Sequence, residues 1–383
     1  MDSRASLYSN SQNRLRIGIY CESPGEEPGG AEFCVAVAAE ELSWNHEVQI
    51  VHHKSSEGIK HLSDYTGCDL SRVQFRHVEP VHDASVRIWL PGRRRTKALY
   101  WRRELTENFD HFVAFVHNKP PFCYAKNGVL VVLFPTFKPR MKFSFWQSRM
   151  ETWTHKVAIS EFSRFWARKR WRIDCEILNP PVGLDFRSAD KMPRILSVGR
   201  FATTGHSKRQ HEMITAFQSI SPSLPDWTYA CVGGLSPNPA DQDFFQKVRT
   251  LAASGAISVD ANLPRKKLNT LFETSSIFWH AAGFGDDENQ RPENAEHFGI
   301  TTVEAMAAGC VPVVIAKGGQ PEIVEHGVSG FVWSTLDELR GFTRRLVEDS
   351  ALRQKMSQAA RHRAKTFGKA VFLHKLHTLL GLG

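Results

Sequence analysis

The chain is short of several features that would organise a protein by themselves. Its seven cysteines are an odd number, scattered singly along 383 residues with no C-x-x-C pair. That excludes a disulfide framework or a paired-thiol zinc site and is the usage of reduced thiols in a cytosolic protein. No apolar run approaches the roughly 18 residues of a membrane span. The opening MDSRASLYSNSQNRLR lacks an apolar core segment, so residues 1–13 are expected to be a disordered lead-in and not a secretory signal. There is no internal repeat and no low-complexity tract. G-x-G-x-x-G is missing, which removes the dinucleotide fingerprint.

What is there is an ordinary soluble composition, 42% hydrophobic and 23% charged, with length enough for two domains with full cores. The net charge of +9 favours anionic partners: nucleic acid, an anionic membrane surface or phosphorylated substrates. Residues 86–103 concentrate that charge. Arg87, Arg93, Arg94, Arg95, Lys97, Arg102 and Arg103 interleave with Trp89, Tyr100 and Trp101, with no acid until Glu104. Such a stretch suits peripheral contact with anionic lipid, or an anionic acceptor, or simply a solvated basic face. It contains no recognised nucleic-acid module, and no nucleic-acid partner is expected.

Apolar, β-branched runs at 16–21, 47–52, 112–117 and 129–134 read as parallel core strands. The first runs through a Gly- and Pro-rich loop into a helical pattern at Gly29 and Gly30. That is either an ordinary tight turn or a close backbone approach to a ligand. A short strand at 157–160 and the helix EFSRFWARKRW follow, and the prolines of ILNPPVGL mark a linker. A second α/β series then begins, with strands at 195–198, 227–232, near 257 and at 277–280, and helices at 208–220 and 265–274. The tail, 336–380, is helical. The expected organisation is a Rossmann-like domain over 1–185, a second over 186–365 and a helix over 366–383 packing back on the first. In open α/β sheets, ligands bind beyond the carboxyl ends of the strands.

The chemistry-bearing residues cluster at such ends. Arg200 closes one strand and Lys208 stands at the start of the next helix. Two cations beside the free N–H groups of a helix start make a diphosphate site, or a plain surface pair. Glu296 and Glu304 bracket Phe298, Gly299, Ile300 and Thr301. Glu304 follows Thr301 by three residues, so T-T-V-E fits a capping box. That local role does not account for Glu296, and two acids near one helix start can accept hydrogen bonds from several sugar hydroxyls.

These motifs together resemble retaining glycosyltransferases of the GT-B fold, family 4 type. Glu296 and Glu304 match the family's E-x7-E. PGGAE resembles its N-terminal glycine loop, SVGRF with GHSKRQ its Arg/Lys pair, and EHFGITTVEAMAAGCVPVV with GGQPEIVEHGVSGF its donor-site signature. ISEFSRFWARKRW with NPPV is similar to the branch of mannosyltransferases that build lipid-linked oligosaccharides.

The resemblance implies two Rossmann-like domains facing across a cleft, with the C-terminal helix crossing back. It implies transfer of a GDP- or UDP-linked hexose to a saccharide or lipid-linked acceptor, with no cofactor and no metal. Arg200 and Lys208 would neutralise the donor diphosphate and Glu296 contact the sugar. Phe298, Gly299, Ile300 and Thr301 would line sugar and diphosphate, and Glu304 hold the ribose. Gly29 and Gly30 would approach the phosphates, and residues 262–268 would lie near the base. One departure stands out. Many relatives carry a histidine before a residue-Pro pair, and here VVLFPTF places Leu133 and Phe134 ahead of Pro135. His117, ending the previous strand, is the nearest alternative. Other uses of such a fold are a nucleotide-sugar hydrolase or epimerase, or a binding protein without catalysis. The expected location is cytoplasmic, at most peripheral at the inner membrane face.

Overall fold

The computed structural model describes residues 14–21, 29–53, 62–64, 66–78, 103–136, 138–139, 143–203, 207–253 and 255–382. The lead-in over 1–13 and the basic stretch 86–103, apart from Arg103, lie outside the described residues. By contact the chain groups into two compact units. One comprises residues 1–131, 139–156 and 379–382, the other 132–138, 157–378 and 383.

Two parallel sheets carry the fold. The first orders β1 (Arg16–Cys21), β2 (Glu47–His52), β3 (Gln74–His77), β4 (His111–Val116), β5 (Asn127–Val132), β6 (His155–Ala158) and β7 (Glu176–Ile177) as β3-β2-β1-β4-β5-β6-β7. The second orders β8 (Met192–Val198), β9 (Thr228–Gly233), β10 (Ile257–Ala261), β11 (Ser275–His280), β12 (Val311–Ile315) and β13 (Phe331–Trp333) as β10-β9-β8-β11-β12-β13. Strands covered on both faces must be apolar along their whole length. β12, VPVVI, is buried at every position. Each sheet reverses its order once, between β1 and β4 and between β8 and β11. Such switch points open a crevice beyond the carboxyl ends of the two strands.

Beneath the second sheet, Trp279, Trp333, Phe217 and Tyr229 are buried together. The indole of Trp279 donates to Thr343 Oγ1 at 3.0 Å, so its one polar group is satisfied inside the core. The C-terminal segment forms three helices, Leu336–Glu348, Ser350–Ala364 and Lys369–Leu380. The first is opened by a capping box, in which Thr335 accepts from the Glu338 N–H and Glu338 from the Thr335 N–H, each at 3.2 Å. Near the end of the last helix, the Leu379 carbonyl accepts from Asn127 Nδ2 at the start of β5 at 3.1 Å.

The strand read at 129–134 ends two residues earlier, at Val132. The apolar run continues because Phe134 leaves the sheet to pack with Phe162, Trp166 and Ala295. β3 was not legible, because its four residues, QFRH, are all exposed or half-buried and leave no apolar pattern. The helix Phe143–Glu151 was missed too.

Candidate functional site

In the second unit, the switch point is built from β8 and β11, which pair directly. Beyond β8 come Gly199 and Arg200. Gln210, fully buried at the start of the helix Gln210–Ile220, donates to both of their carbonyls, at 3.1 and 2.9 Å. The Phe201 N–H donates to the Gly234 carbonyl at 2.8 Å. The Arg200 backbone is thus fixed from two sides, while its side chain is exposed. Gly199 makes room for the neighbouring cation. A Cβ there would lie 2.6 Å from Lys208 Cγ, so only glycine lets the aliphatic stem of Lys208 lie across the strand end.

Lys208 Nζ reaches Glu296 Oε2 in a charged hydrogen bond. The same oxygen meets His280 Nε2 at 3.1 Å. His280 is the last residue of β11 and is buried. Burial is the main reason its pKa lies below the ordinary histidine value. Lys208 pushes the same way, and Glu296 pulls it back only in part. Glu296 therefore sits between a cation and a neutral imidazole, at the carboxyl ends of the two switch-point strands.

Glu296 leads into Phe298 and Gly299, and the helix Ile300–Ala308 starts there. Gly299 is its N-cap at φ 127, with no side-chain cap, so the helix's first N–H groups are left to other partners. A carboxamide props the turn. Gln320 donates to the Phe298 carbonyl at 3.2 Å and accepts from Thr302 Oγ1 at 2.8 Å. Because Gly299 is the N-cap, the capping box read from T-T-V-E does not form. Glu304 is too far into the helix to reach back, and its carboxylate turns to Arg265, the first residue of the helix Arg265–Thr274. Glu304 is buried, with its pKa raised by desolvation and pulled back by Arg265. Ile300 and Thr301 are half-buried on the first turn, and Phe298 is buried.

A loop between β11 and Glu296 is strapped to this region. Arg209, at φ 56, pairs with Asp286. Lys317 donates to the Gly283 carbonyl at 3.0 Å and also to that of Asp286. The Gly318 N–H donates to Glu288 at 2.9 Å. Just beyond, Glu322 accepts from the backbone N–H groups of Glu161 and Phe162, at 2.7 and 2.6 Å. Burial nevertheless raises its pKa to about 6 from 4.5, with Glu161 adding to the rise and Arg164 opposing it. A folded-state pKa above the unfolded one means that the stability linked to this group is fully present below about 4.5 and lost as pH rises through about 6. Glu322→Gln should flatten that part of the profile. Urea unfolding of both proteins between pH 4.5 and 7 checks this, and parallel curves would refute it.

The structure thus brings together Lys208 with Glu296, and sets Glu304 and the turn Phe298–Thr301 on the helix that follows. Gly29, Gly30 and His117 belong to the other unit. Gly29 donates its N–H to Glu32 at 2.9 Å and precedes the helix Gly30–Leu42. His117 directly follows β4 and is half-buried. In the residue-Pro pair that follows Leu133, Phe134 stacks on the ring of His297, with centroids 4.0 Å apart and planes 6° from parallel. Sequence reading missed His280, Gln320 and Glu322, and it placed Arg265 only within the stretch 262–268 without its pairing to Glu304. His280 carried a signal, as a polar residue closing an apolar strand.

Two parallel sheets of this order, with acids and cations at the switch point of the second, define a GT-B architecture. The glycosyltransferase from Rickettsia africae ESF-5 superposes with a TM-score of 0.72 over 96% of this chain and 98% of that one, at 17% identity. Anabaena HepE, solved in complex with UDP and glucose, gives a TM-score of 0.67 over 96% of this chain and 100% of its own, at 16% identity. Residues 185–363 match the family of glycosyl transferases group 1. A GDP-Man:Man(3)GlcNAc(2)-PP-Dol alpha-1,2-mannosyltransferase from Dictyostelium discoideum is 25% identical over 222 residues, 54% of this chain. The match spans 42% of that relative, less than half its length.

Proposed function

We propose that the protein is a retaining glycosyltransferase that moves a hexose from a GDP- or UDP-linked donor to a saccharide or lipid-linked acceptor. The observation that carries this reading is the meeting of Lys208, Glu296 and His280 at the β8–β11 switch point, in the stretch that matches the family. Breaking the sugar–phosphate bond leaves its electron pair on a nucleoside diphosphate. Arg200, Lys208 and the start of the helix Ile300–Ala308 stabilise that growing charge. Glu296 binds sugar hydroxyls and Glu304 the ribose. The departing phosphate accepts the proton of the attacking hydroxyl, which bonds to the sugar on the same face. The relative named for GDP-Man and a dolichol-linked acceptor supports a lipid-linked acceptor, and HepE with UDP and glucose supports the alternative base. The proposed location is cytoplasmic, with the basic stretch 86–103 touching anionic lipid. No described helix is long and apolar enough to cross a membrane.

A thermal-shift comparison of UDP, GDP and their sugar conjugates tests the donor site. A true ligand at 100 times its Kd adds about 2.7 kcal/mol of stability. Glu304→Ala should abolish the shift. If no nucleoside diphosphate stabilises the wild type, the proposal fails. Stabilisation by oligonucleotide that disappears at moderate salt would point to nucleic-acid binding instead.

A further inference from the structure

His280 is the least explained polar group near the proposed donor site. It is 4% exposed and closes β11. Its Nε2 faces Glu296 Oε2 at 3.1 Å, and its Nδ1 is buried with no hydrogen-bond partner among the described residues. A neutral imidazole carries one N–H. A carboxylate only accepts, so the proton belongs on Nε2, and Nδ1 is left as a bare acceptor. Burial holds the ring below its ordinary pKa. A second proton would have to sit on Nδ1, where no acceptor meets it.

Glu296 has a second partner that it must give up. Lys208 Nζ shares the same oxygen, and the proposed function calls that ammonium to the diphosphate. The carboxylate then loses that contact at the moment it is needed against the sugar. We propose that His280 is a positioning residue, whose Nε2–H holds the Glu296 carboxylate in place when Lys208 turns to the diphosphate. The inference rests on the reading of Glu296 as the sugar-contacting acid. A neutral donor suits the task. It restrains the carboxylate without neutralising its charge.

The geometry of β11 fixes the ring. Its neighbour Trp279 is buried on the opposite face and bonded to Thr343. Alternation along the strand then sends His280 away from that core. His280 and Lys208 border the same small crevice at the end of β8, along with Ser197, Gly199 and Gln210.

The test separates sugar from nucleotide. For each variant, the affinities for UDP, GDP and their glucose and mannose conjugates are measured by calorimetry, giving the gain that the sugar adds. His280→Leu should lower that gain about tenfold or more and leave nucleoside diphosphate affinity within about twofold. His280→Gln, whose amide can reach Glu296, should restore most of it, while the shorter His280→Asn should not. In Glu296→Gln, His280→Leu should add little, as for residues acting through one group. If Glu296→Gln leaves the sugar gain unchanged, the reading of Glu296 is wrong. If Glu296→Gln removes the gain and His280→Leu keeps it, the positioning role is wrong. Nitrogen NMR of the folded wild type gives an independent answer. The Nε2–H neutral tautomer at pH 7 is expected, and an Nδ1–H tautomer or an imidazolium would overturn the proposal even if His280→Leu fails to fold.

Discussion

Arg200→Ala is expected to lower sugar transfer about a hundredfold or more, a loss of about 3 kcal/mol of transition-state stabilisation. The magnitude follows from the proposed role, in which Arg200 is one preorganised charge-stabilising group aimed at the leaving group. Preorganisation is visible around this residue. Gln210 holds the Gly199 and Arg200 carbonyls, and Phe201 is bonded to Gly234, so the guanidinium stands on a fixed base. The side chain is exposed, so its truncation should change folding stability by no more than about 0.5 kcal/mol. The signature is therefore a fall in kcat with an unchanged melting temperature. Single-turnover kinetics on a verified donor and acceptor make the measurement. Unchanged turnover would remove Arg200 from the leaving-group role.

The second large effect is structural. Gly318→Ala should destabilise the protein by about 3 kcal/mol, combining left-handed strain and a steric clash. Gly318 has φ +61, and a Cβ there would lie 2.1 Å from the Glu296 carbonyl oxygen. The next N–H, of Gly319, donates to that same carbonyl at 2.8 Å. The glycine pair is thus the seat on which the Glu296 backbone rests. Gly327→Ala is the control. Gly327 also has a positive φ, +78, but nothing lies within 4 Å of the added carbon, so only the strain of about 1 kcal/mol remains. Urea unfolding of both variants separates the two terms. Equal losses would show that the Glu296 contact contributes nothing. Gly318→Ala should also displace Glu296 and weaken sugar recognition.

Much of the fold was readable because parallel strands buried on both faces announce themselves as unbroken apolar runs. β2 at Glu47–His52 and the helix Arg265–Thr274 fall where the sequence put them. The reading failed where burial and secondary structure part company. Phe134 is as buried as any strand residue but lies past the end of β5. β3 is a strand without an apolar face. Glu296 and Glu304 stood out through their spacing on either side of a helix start. Their pairings did not, because no local period connects the partners. His280 lies 16 residues from Glu296, Lys208 88, and Arg265 39 from Glu304. Parallel crossovers bring such residues together, and a crossover leaves no trace in sequence spacing. The capping-box reading of Thr301 and Glu304 went wrong because the positive φ of Gly299 starts the helix two residues earlier than that box requires.

The two acids of the proposed donor site are each matched by a cation, Glu296 by Lys208 and Glu304 by Arg265. Pairs that cancel at short range project little field into solvent. A diphosphate entering the proposed site would exchange partners with these pairs on arrival. Capture becomes an ion-exchange step, selective for a ligand that offers phosphates to the cations and hydroxyls to the acids together. A free inorganic anion offers only half of that bargain.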